Sequence, residues 1–403
     1  MGLALFGCRR AGPVPADPTR AGGPAATRSA AATASLDGGS AEPAAVRGRD
    51  IALLYSSNLL GKFTPCDCAV LPLGGLGRRA TVIARARAEA DATVVVDAGD
   101  LFVPQGTVAE TERQARLLAA GVGRAGIDAF TPGDDDLAIG VARLKALTVA
   151  NKIPVVSANL YGRDGRRLFP ADRLVDAAGT RIGIFGVTAP PTAADANRWR
   201  AEGIVVREPA DAAREAAAAL RARGAAIVVA LVHAGLPAEN RRLVHAMSGV
   251  DWAVLGHSAL NLERPEGADG VFLLEAMSEG KNLGRLDLHV VGGSTAFADR
   301  GARAEVAATL ADHRRQLEGY DRSLAGLDPA SLEVYYQQRR QALTAQIALE
   351  ARALGALPTV LPGSWFENRI IPLDRTIPDD PVVGQLVRDY LGEGLADKRR
   401  AHL

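Results

Sequence analysis

Cysteine is scarce: the 403 residues carry three. That excludes a disulfide-dense scaffold. No Cys-x-x-Cys-His haem-attachment motif occurs either. A surplus of one charge is also missing. Forty-seven Lys and Arg stand against 46 Asp and Glu, a formal net charge of +1. A purely electrostatic nucleic-acid binder needs a basic surplus, so no nucleic-acid partner is expected. Only five of the basic residues are Lys; that bias reflects genomic base composition, not function. No run of about 18 or more apolar residues occurs, so no membrane-spanning helix is expected. What the chain has is apolar mass, 48% of its residues. That suffices for a large core, and the length suffices for two or three domains.

Residues 1–49 differ from the rest. After Met1–Cys8 they are Ala, Gly, Pro, Ser and Thr with few large apolar side chains. Such a stretch buries too little surface to order itself and reads as a disordered linker. Leu5-Phe6-Gly7-Cys8 looks like a bacterial lipobox. Cys8 is then the lipid anchor, the only membrane attachment expected. It implies a bacterial cell-envelope location, as a periplasmic or surface lipoprotein. The preceding apolar run is too short for an export signal and has no basic flank, so the natural start is expected further upstream. The alternative is an apolar start that happens to hold a cysteine.

From Ile51 to about Val291 short apolar runs alternate with Ala- and Arg-rich helical stretches. The runs are Ile51–Tyr55, Thr93–Val96, Pro154–Ser157, Arg181–Val187, Ala226–Val232, Trp252–Leu255, Val271–Leu274 and Leu286–Val291. Arg78–Ala90, Thr111–Ala125 and Pro209–Arg223 are helical stretches between them. This alternation argues for an α/β sheet with both faces covered.

From Ala302 the strand signals stop. Val306, Leu310, Leu317, Tyr320 and Leu324 recur at helical spacing, and Leu332, Tyr336, Leu343, Ile347 and Leu354 form a second stripe. Gly326-Leu327-Asp328-Pro329 breaks the first helix and caps the second. A helical hairpin or one kinked helix fits this pattern. The end is rich in Pro, with a helix expected near Val382–Leu391, and Trp365, Phe366, Ile370 and Ile371 need cover. The organisation expected is a linker at 1–49, an α/β domain at 50–296, a hairpin at 297–357 and a C-terminal tail on the core at 358–403.

Chemistry is sought at the carboxyl ends of the strands, where open α/β sheets bind ligands. Ser56-Ser57-Asn58 follows the first run, and Asp97-Ala98-Gly99-Asp100 the second. Ile127–Phe130 leads to Gly133-Asp134-Asp135-Asp136, and Pro154–Ser157 to Asn159. His233 and Gly256-His257 end two more. Carboxylates, imidazoles and amides on one rim are the ligand types of divalent transition metals. The Gly before Asp100, Asp134 and His257 is expected to let the backbone turn sharply.

In that order these stations resemble the calcineurin-like metallophosphoesterase superfamily, in its 5′-nucleotidase/UDP-sugar hydrolase branch. The family reads Asp-x-His, Gly-Asp, Gly-Asn-His-(Asp/Glu), His and Gly-His-x-(His/Gln). Here the stations are Asn58-Leu59-Leu60, Gly99-Asp100, Gly133-Asp134-Asp135-Asp136, His233 and Gly256-His257-Ser258-Ala259. Leu73-Gly74-Gly75-Leu76 and Ser157-Ala158-Asn159-Leu160 agree with it as well. The resemblance covers residues 50–291, roughly 60% of the chain. It implies a four-layer αββα metallophosphoesterase sandwich, here with a C-terminal helical hairpin.

The departures bear on activity. Asn58, Leu60 and Ala259 stand where the resemblance implies ligands of a first metal. Asp100, Asp134, His233 and His257 match a second site and would hold one Zn, Mn or Fe ion, with Asn58 as a further ligand and two ions as the alternative. Asp135 replaces the family's catalytic histidine; it, or Asn159, would orient water or substrate. Cys66-Asp67-Cys68 lies just after Asn58. Its thiols are expected as replacement metal ligands or a redox pair, or as plain surface residues. His245, His289, His313 and His402 are expected in structural or surface roles.

The function expected is an envelope metal-dependent hydrolase of phosphate esters, nucleotide-type or related, with a reduced site. The alternative is a catalytically lapsed relative that binds a metal, a ligand or an envelope protein partner through the Cys66/Cys68 loop and the hairpin.

Overall fold

The computed structural model describes residues 48–401, apart from 68, 69, 269, 325–328, 360 and 362. Cys8, its tether, Cys68 and the expected helix break at 326–328 lie outside the described residues. In chain order the elements begin β1 (Arg49–Ser56), α1 (Leu76–Glu89), β2 (Ala92–Asp97), α2 (Val108–Ala125) and β3 (Ala129–Phe130). Next come α3 (Asp134–Ala138), α4 (Val141–Ala150), β4 (Leu160–Tyr161), β5 (Asp172–Ala177), β6 (Thr180–Thr188), α5 (Ala196–Glu202) and β7 (Val205–Val206). Then follow α6 (Pro209–Ala222), β8 (Ile227–His233), α7 (Pro237–His245), β9 (Trp252–Gly256), β10 (Glu266–Ala268), β11 (Val271–Leu274) and β12 (Asn282–Val290). The chain ends with β13 (Ala298–Asp299), α8 (Ala302–Leu324), α9 (Pro329–Ala356), β14 (Trp365–Pro372) and α10 (Pro381–Ala401).

The fold is α/β, with two mixed six-stranded sheets. One runs β13-β14-β12-β1-β2-β3, the other β10-β11-β9-β8-β6-β5. β1, β2 and β3 are parallel, as are β6, β8 and β9. Period-two alternation sorts the core. Ala52 and Leu54 of β1 join α1 and α2 residues such as Ile83 and Leu118 in one apolar cluster. Ile51, Leu53 and Tyr55 join Ile182, Ile184, Val229 and Leu231 of the other sheet in a second. Phe185, Val228 and Val232 meet Ala213, Ala217 and Leu220 of α6 in a third. Strands covered on both faces read as the continuous apolar runs seen in the sequence. Truncating a side chain such as Leu54 to Ala at such a position costs about 2–5 kcal/mol.

Helix starts follow from capping. Thr107 Oγ1 accepts from Glu110 N–H at 3.2 Å, and Thr107 N–H donates to Glu110 Oε2 at 2.7 Å. This capping box opens α2.

The helical hairpin is present: α8 and α9 pack together. Tyr320 and Tyr336 meet edge to face at 6.5 Å, and His313 Nδ1 lies 2.9 Å from Glu350.

Three expectations are corrected. Strands do not stop at Ala302, because β14 pairs antiparallel with β12 over its whole length. Glu367, Asn368 and Arg369 hide its alternation, and distant groups satisfy them: Arg369 pairs with Asp287, and Tyr55 Oη donates to Asn368 Oδ1 at 2.9 Å. Pro154–Ser157 is not a strand; Val155 only bridges Phe130. Pro154 has no N–H for a ladder, and its carbonyl accepts from Phe130 N–H. The last helix extends well beyond the expected Leu391, to Ala401.

Candidate metal centre

The parallel strands of both sheets end at one rim. After β2 the chain turns through Gly99 (φ 100°) and Asp100 (φ 58°), and after β9 through His257 (φ 70°). Left-handed backbone costs a non-glycine residue about 1–2 kcal/mol. The expected role of the glycines is thus met only at Gly99; Asp100 and His257 bend in their own right. Gly99 also needs to be small, since a Cβ there would lie 2.6 Å from His233 Nδ1. Gly133 keeps an extended φ of −88°, and its missing Cβ leaves room for Asp100 and His233.

Asp100, Asp134, His233 and His257 converge. One ligand atom from each lies within 4.8 Å of all the others, the only such group of three or more His, Cys, Asp or Glu among the described residues. His233 Nε2 is 3.2 Å from Asp100 Oδ2 and 3.1 Å from Asp134 Oδ1. His257 Nδ1 is 3.2 Å from Asp134 Oδ1. Ligands around a tetrahedral ion with bonds of about 2.0–2.2 Å sit at similar mutual separations. The other His233 nitrogen, Nδ1, faces the Ala98 carbonyl at 2.8 Å. Such a partner fixes a metal-ligating ring and its tautomer. Asp100 and His233 are buried, while 24% of the Asp134 side chain and 37% of the His257 side chain are open to solvent. The four residues fit a divalent cation with one accessible side.

The electrostatics agree. Burial pushes the His233 pKa down, but the carboxylates of Asp100 and Asp134 outweigh it and raise the value well above the usual. Burial would raise Asp134, but hydrogen bonds from His233 and His257 hold it well below the ordinary range. The hydrogen bond with Asp134 raises His257 against the effect of its partial burial. Carboxylates that favour a proton on these rings would equally favour a divalent ion between them.

Asp135 sits beside the cluster. Its N–H donates to Asp100 Oδ1 at 3.0 Å. Burial, then the charges of Asp100 and Asp134, push its carboxyl up to about 6. Asn58 is buried; its side-chain oxygen accepts the His257 N–H at 2.7 Å, and its Nδ2 has no partner. Asn159 is fully engaged elsewhere. It donates to Thr188 O at 2.7 Å and Arg207 O at 3.2 Å, and accepts from Thr188 N–H at 3.0 Å. The structure therefore places Asn159 as a clamp between loops. Leu60 is half-buried and Ala259 exposed, and neither side chain can donate to an ion. Cys66 stands outside the four-residue group; its sulfur accepts from Leu73 N–H at 3.4 Å.

Three supporting residues, of which only Asp136 was named in the sequence motifs, had no role assigned there. Asp136 is buried and accepts from the N–H groups of Asp100 (2.6 Å), Phe102 (2.7 Å) and Gly133 (2.8 Å), tying the β2 and β3 loops together. Glu275 is buried at the end of β11 and accepts from Ser258 Oγ at 2.7 Å. Asn240 donates to Ser258 Oγ and to Gly256 O. Together they hold the loop that carries His257. Glu275 follows an apolar strand run, the same signal that marked the cluster.

No protein-family model matches the chain. It is 30% identical over 224 residues to the "Probable 5′-nucleotidase" of Treponema pallidum, covering 55% of this chain and 34% of that protein. It is 25% identical over 249 residues to the 5′-nucleotidase of Vibrio vulnificus, covering 53% of this chain and 44% of that one. Among solved structures, a 5′-nucleotidase precursor from Thermus thermophilus aligns over 86% of this chain and 59% of its own, with TM-score 0.58 and 19% identity. A sulfate thiohydrolase from Thermus thermophilus aligns over 85% and 60%, with TM-score 0.61 and 17% identity. The alignments span 34% and 44% of those two curated relatives. With the Asp/His cluster in place at the family's stations, the chain is a distant homologue of the 5′-nucleotidases of the calcineurin-like metallophosphoesterase family.

Proposed function

We propose that this protein is an envelope metal-dependent hydrolase of phosphate esters, nucleotide-type or related, working with a reduced site. The convergence of Asp100, Asp134, His233 and His257, with Asp134 and His257 reaching solvent, carries the reading. These four would hold a divalent Zn, Mn or Fe ion. When bound, the ion supplies Lewis-acid polarisation of a phosphoryl oxygen and of water. In the hydrolysis a water oxygen bonds to phosphorus, the ester P–O bond breaks, and the leaving oxygen takes a proton. Asp135, beside the cluster and with its carboxyl raised to about 6, would be the group to handle that proton. Leu60 and Ala259 offer nothing to a first metal, which favours one ion over two. Stacking of the three apolar clusters supports the four-layer αββα arrangement.

The test is phosphate release from nitrophenyl phosphate and nucleotides with Mn²⁺ or Zn²⁺, together with metal analysis. Activity lost in Asp100→Ala supports the reading; no turnover with any divalent ion overturns it. In that case the same residues favour a second reading, a relative that binds an ion without hydrolysis, because Asp135 replaces the family's cationic acid. The proposal includes lipid anchoring at Cys8. Fatty-acid labelling that persists in Cys8→Ser would remove that part.

A further inference from the structure

The exposed side of the cluster opens onto a cleft of about 760 Å³ that Asp134, His233 and His257 help to line. That volume falls within the roughly 300–1,000 Å³ of small-molecule sites. We propose that the cleft holds the leaving group of the ester and selects an apolar one over a polyol. This inference rests on the reading above, that the phosphoryl group sits at the cluster.

The argument comes from what the walls offer. Pro190 and Pro191 after β6, and Leu236 and Leu243 at α7, give apolar surface. Leu236 is 67% exposed, a large apolar side chain left in water beside the candidate site. Covering such surface is favourable in proportion to its area. Three polar side chains of the same walls are committed to the protein itself. Thr188 Oγ1 donates to Pro132 O at 2.7 Å, and Thr192 Oγ1 to Asp195 Oδ2 at 2.7 Å. Glu239 accepts from Leu236 N–H at 2.8 Å. Away from the cluster, Glu208 and Glu239 stand against Arg242, a net of one negative charge on these walls. A polyol entering this cleft would give up water and find few fixed partners, at a cost in affinity. An apolar group gives up little.

Two non-hydrolysable probes separate this inference from its foundation. The Mn²⁺-loaded protein is titrated calorimetrically with benzylphosphonate and with methylphosphonate. The expected result is about tenfold or more tighter binding of the benzyl compound, the size of effect an apolar pocket gives. Leu236→Asn should lose most of that preference. Asn is a favoured N-cap residue, and Leu236 is the N-cap of α7, so the helix should hold. Equal affinities for the two phosphonates overturn the inference and leave the ion site standing. Binding of neither overturns the site reading and this inference with it. In turnover, kcat/KM for 2-phenylethyl phosphate should exceed that for 2-hydroxyethyl phosphate by a similar factor. Both leaving groups are primary alkoxides, so the ratio reports on the cleft; a ratio near one overturns the inference.

Discussion

The backbone N–H of His257 donates to the side-chain oxygen of Asn58 at 2.7 Å. Asn58 also donates its own N–H to Gly99 O at 2.7 Å, and its carbonyl accepts from Glu279 N–H at 2.6 Å. One residue thus ties the loops after β1, β2 and β9 and the approach to β12. The position where the resemblance implies a metal-binding carboxylate here holds, through Asn58, a histidine whose backbone is strained at φ 70°.

Asn58→Asp should make that trade visible. The aspartate keeps the acceptor for His257 and exchanges a buried, unpartnered N–H₂ for a second anionic oxygen. Without metal the variant should lose on the order of 1–3 kcal/mol, because an uncompensated buried charge replaces an uncompensated neutral amide. With Mn²⁺ added, its melting temperature should rise by more than that of the wild type. A rise no larger than in the wild type would show that a carboxylate at position 58 adds nothing to the ion environment.

Glu275 offers a pH-dependent test. Burial pushes its carboxyl up to about 7, against the hydrogen bonds from Ser258 Oγ and the loop N–H groups. A carboxyl raised in the folded state binds its proton more tightly there than in the unfolded chain. The wild type should therefore lose stability as pH rises from about 4.5 through 7. Glu275→Gln removes the titration. It should be more stable than the wild type at pH 8 by on the order of 1–3 kcal/mol, and closer to it at pH 5. Chemical denaturation at the two pH values measures this. A difference that does not grow with pH would count against a neutral Glu275.

The four cluster residues were legible because each follows an apolar strand run, and strand ends form the rim. Glu275 obeys the same rule but matches no family station, and nothing local marks it as support for a loop. Asn159 shows the opposite limit. Its place after an apolar run suggested chemistry, yet both ends of its amide serve Thr188 and Arg207. Residue type and order cannot separate a ligand from a clamp; only the partners can. β14 was hidden for a related reason. Its polar residues look like loop until Asp287 and Tyr55, far away in sequence, are seen to satisfy them.

Ion binding should also appear as stability. An ion that binds only the folded chain adds about 2.7 kcal/mol at a free concentration 100 times its Kd. Melting temperature should rise with Mn²⁺ or Zn²⁺ and fall back with a chelator. In His233→Ala the rise should largely vanish, because the ring that touches both carboxylates is gone. A metal-induced rise of wild-type size in this variant would place the ion elsewhere.

Behind the rim lies a buried ion pair. Arg79 Nη2 of α1 is 3.7 Å from Asp97 Oδ2, and both side chains are almost fully buried. Asp97 also accepts from Ser56 Oγ at 2.5 Å and Gly99 N–H at 3.1 Å, so the pair leads directly into the Gly99–Asp100 turn. Arg79 Nε and Nη1 are buried without partners, and burial lowers the guanidinium pKa despite Asp97. Asp97→Asn would leave that cation uncompensated, at a cost of about 3–5 kcal/mol. Adding Arg79→Met should recover part of the loss, since an apolar replacement needs no counter-charge. Urea unfolding of the four proteins of this double-mutant cycle gives the coupling, expected at about 1–3 kcal/mol. Additivity within about 0.5 kcal/mol would mean that the two side chains act independently. The short polar contacts of Asp97, and not its charge, would then be what shapes the turn into the cluster.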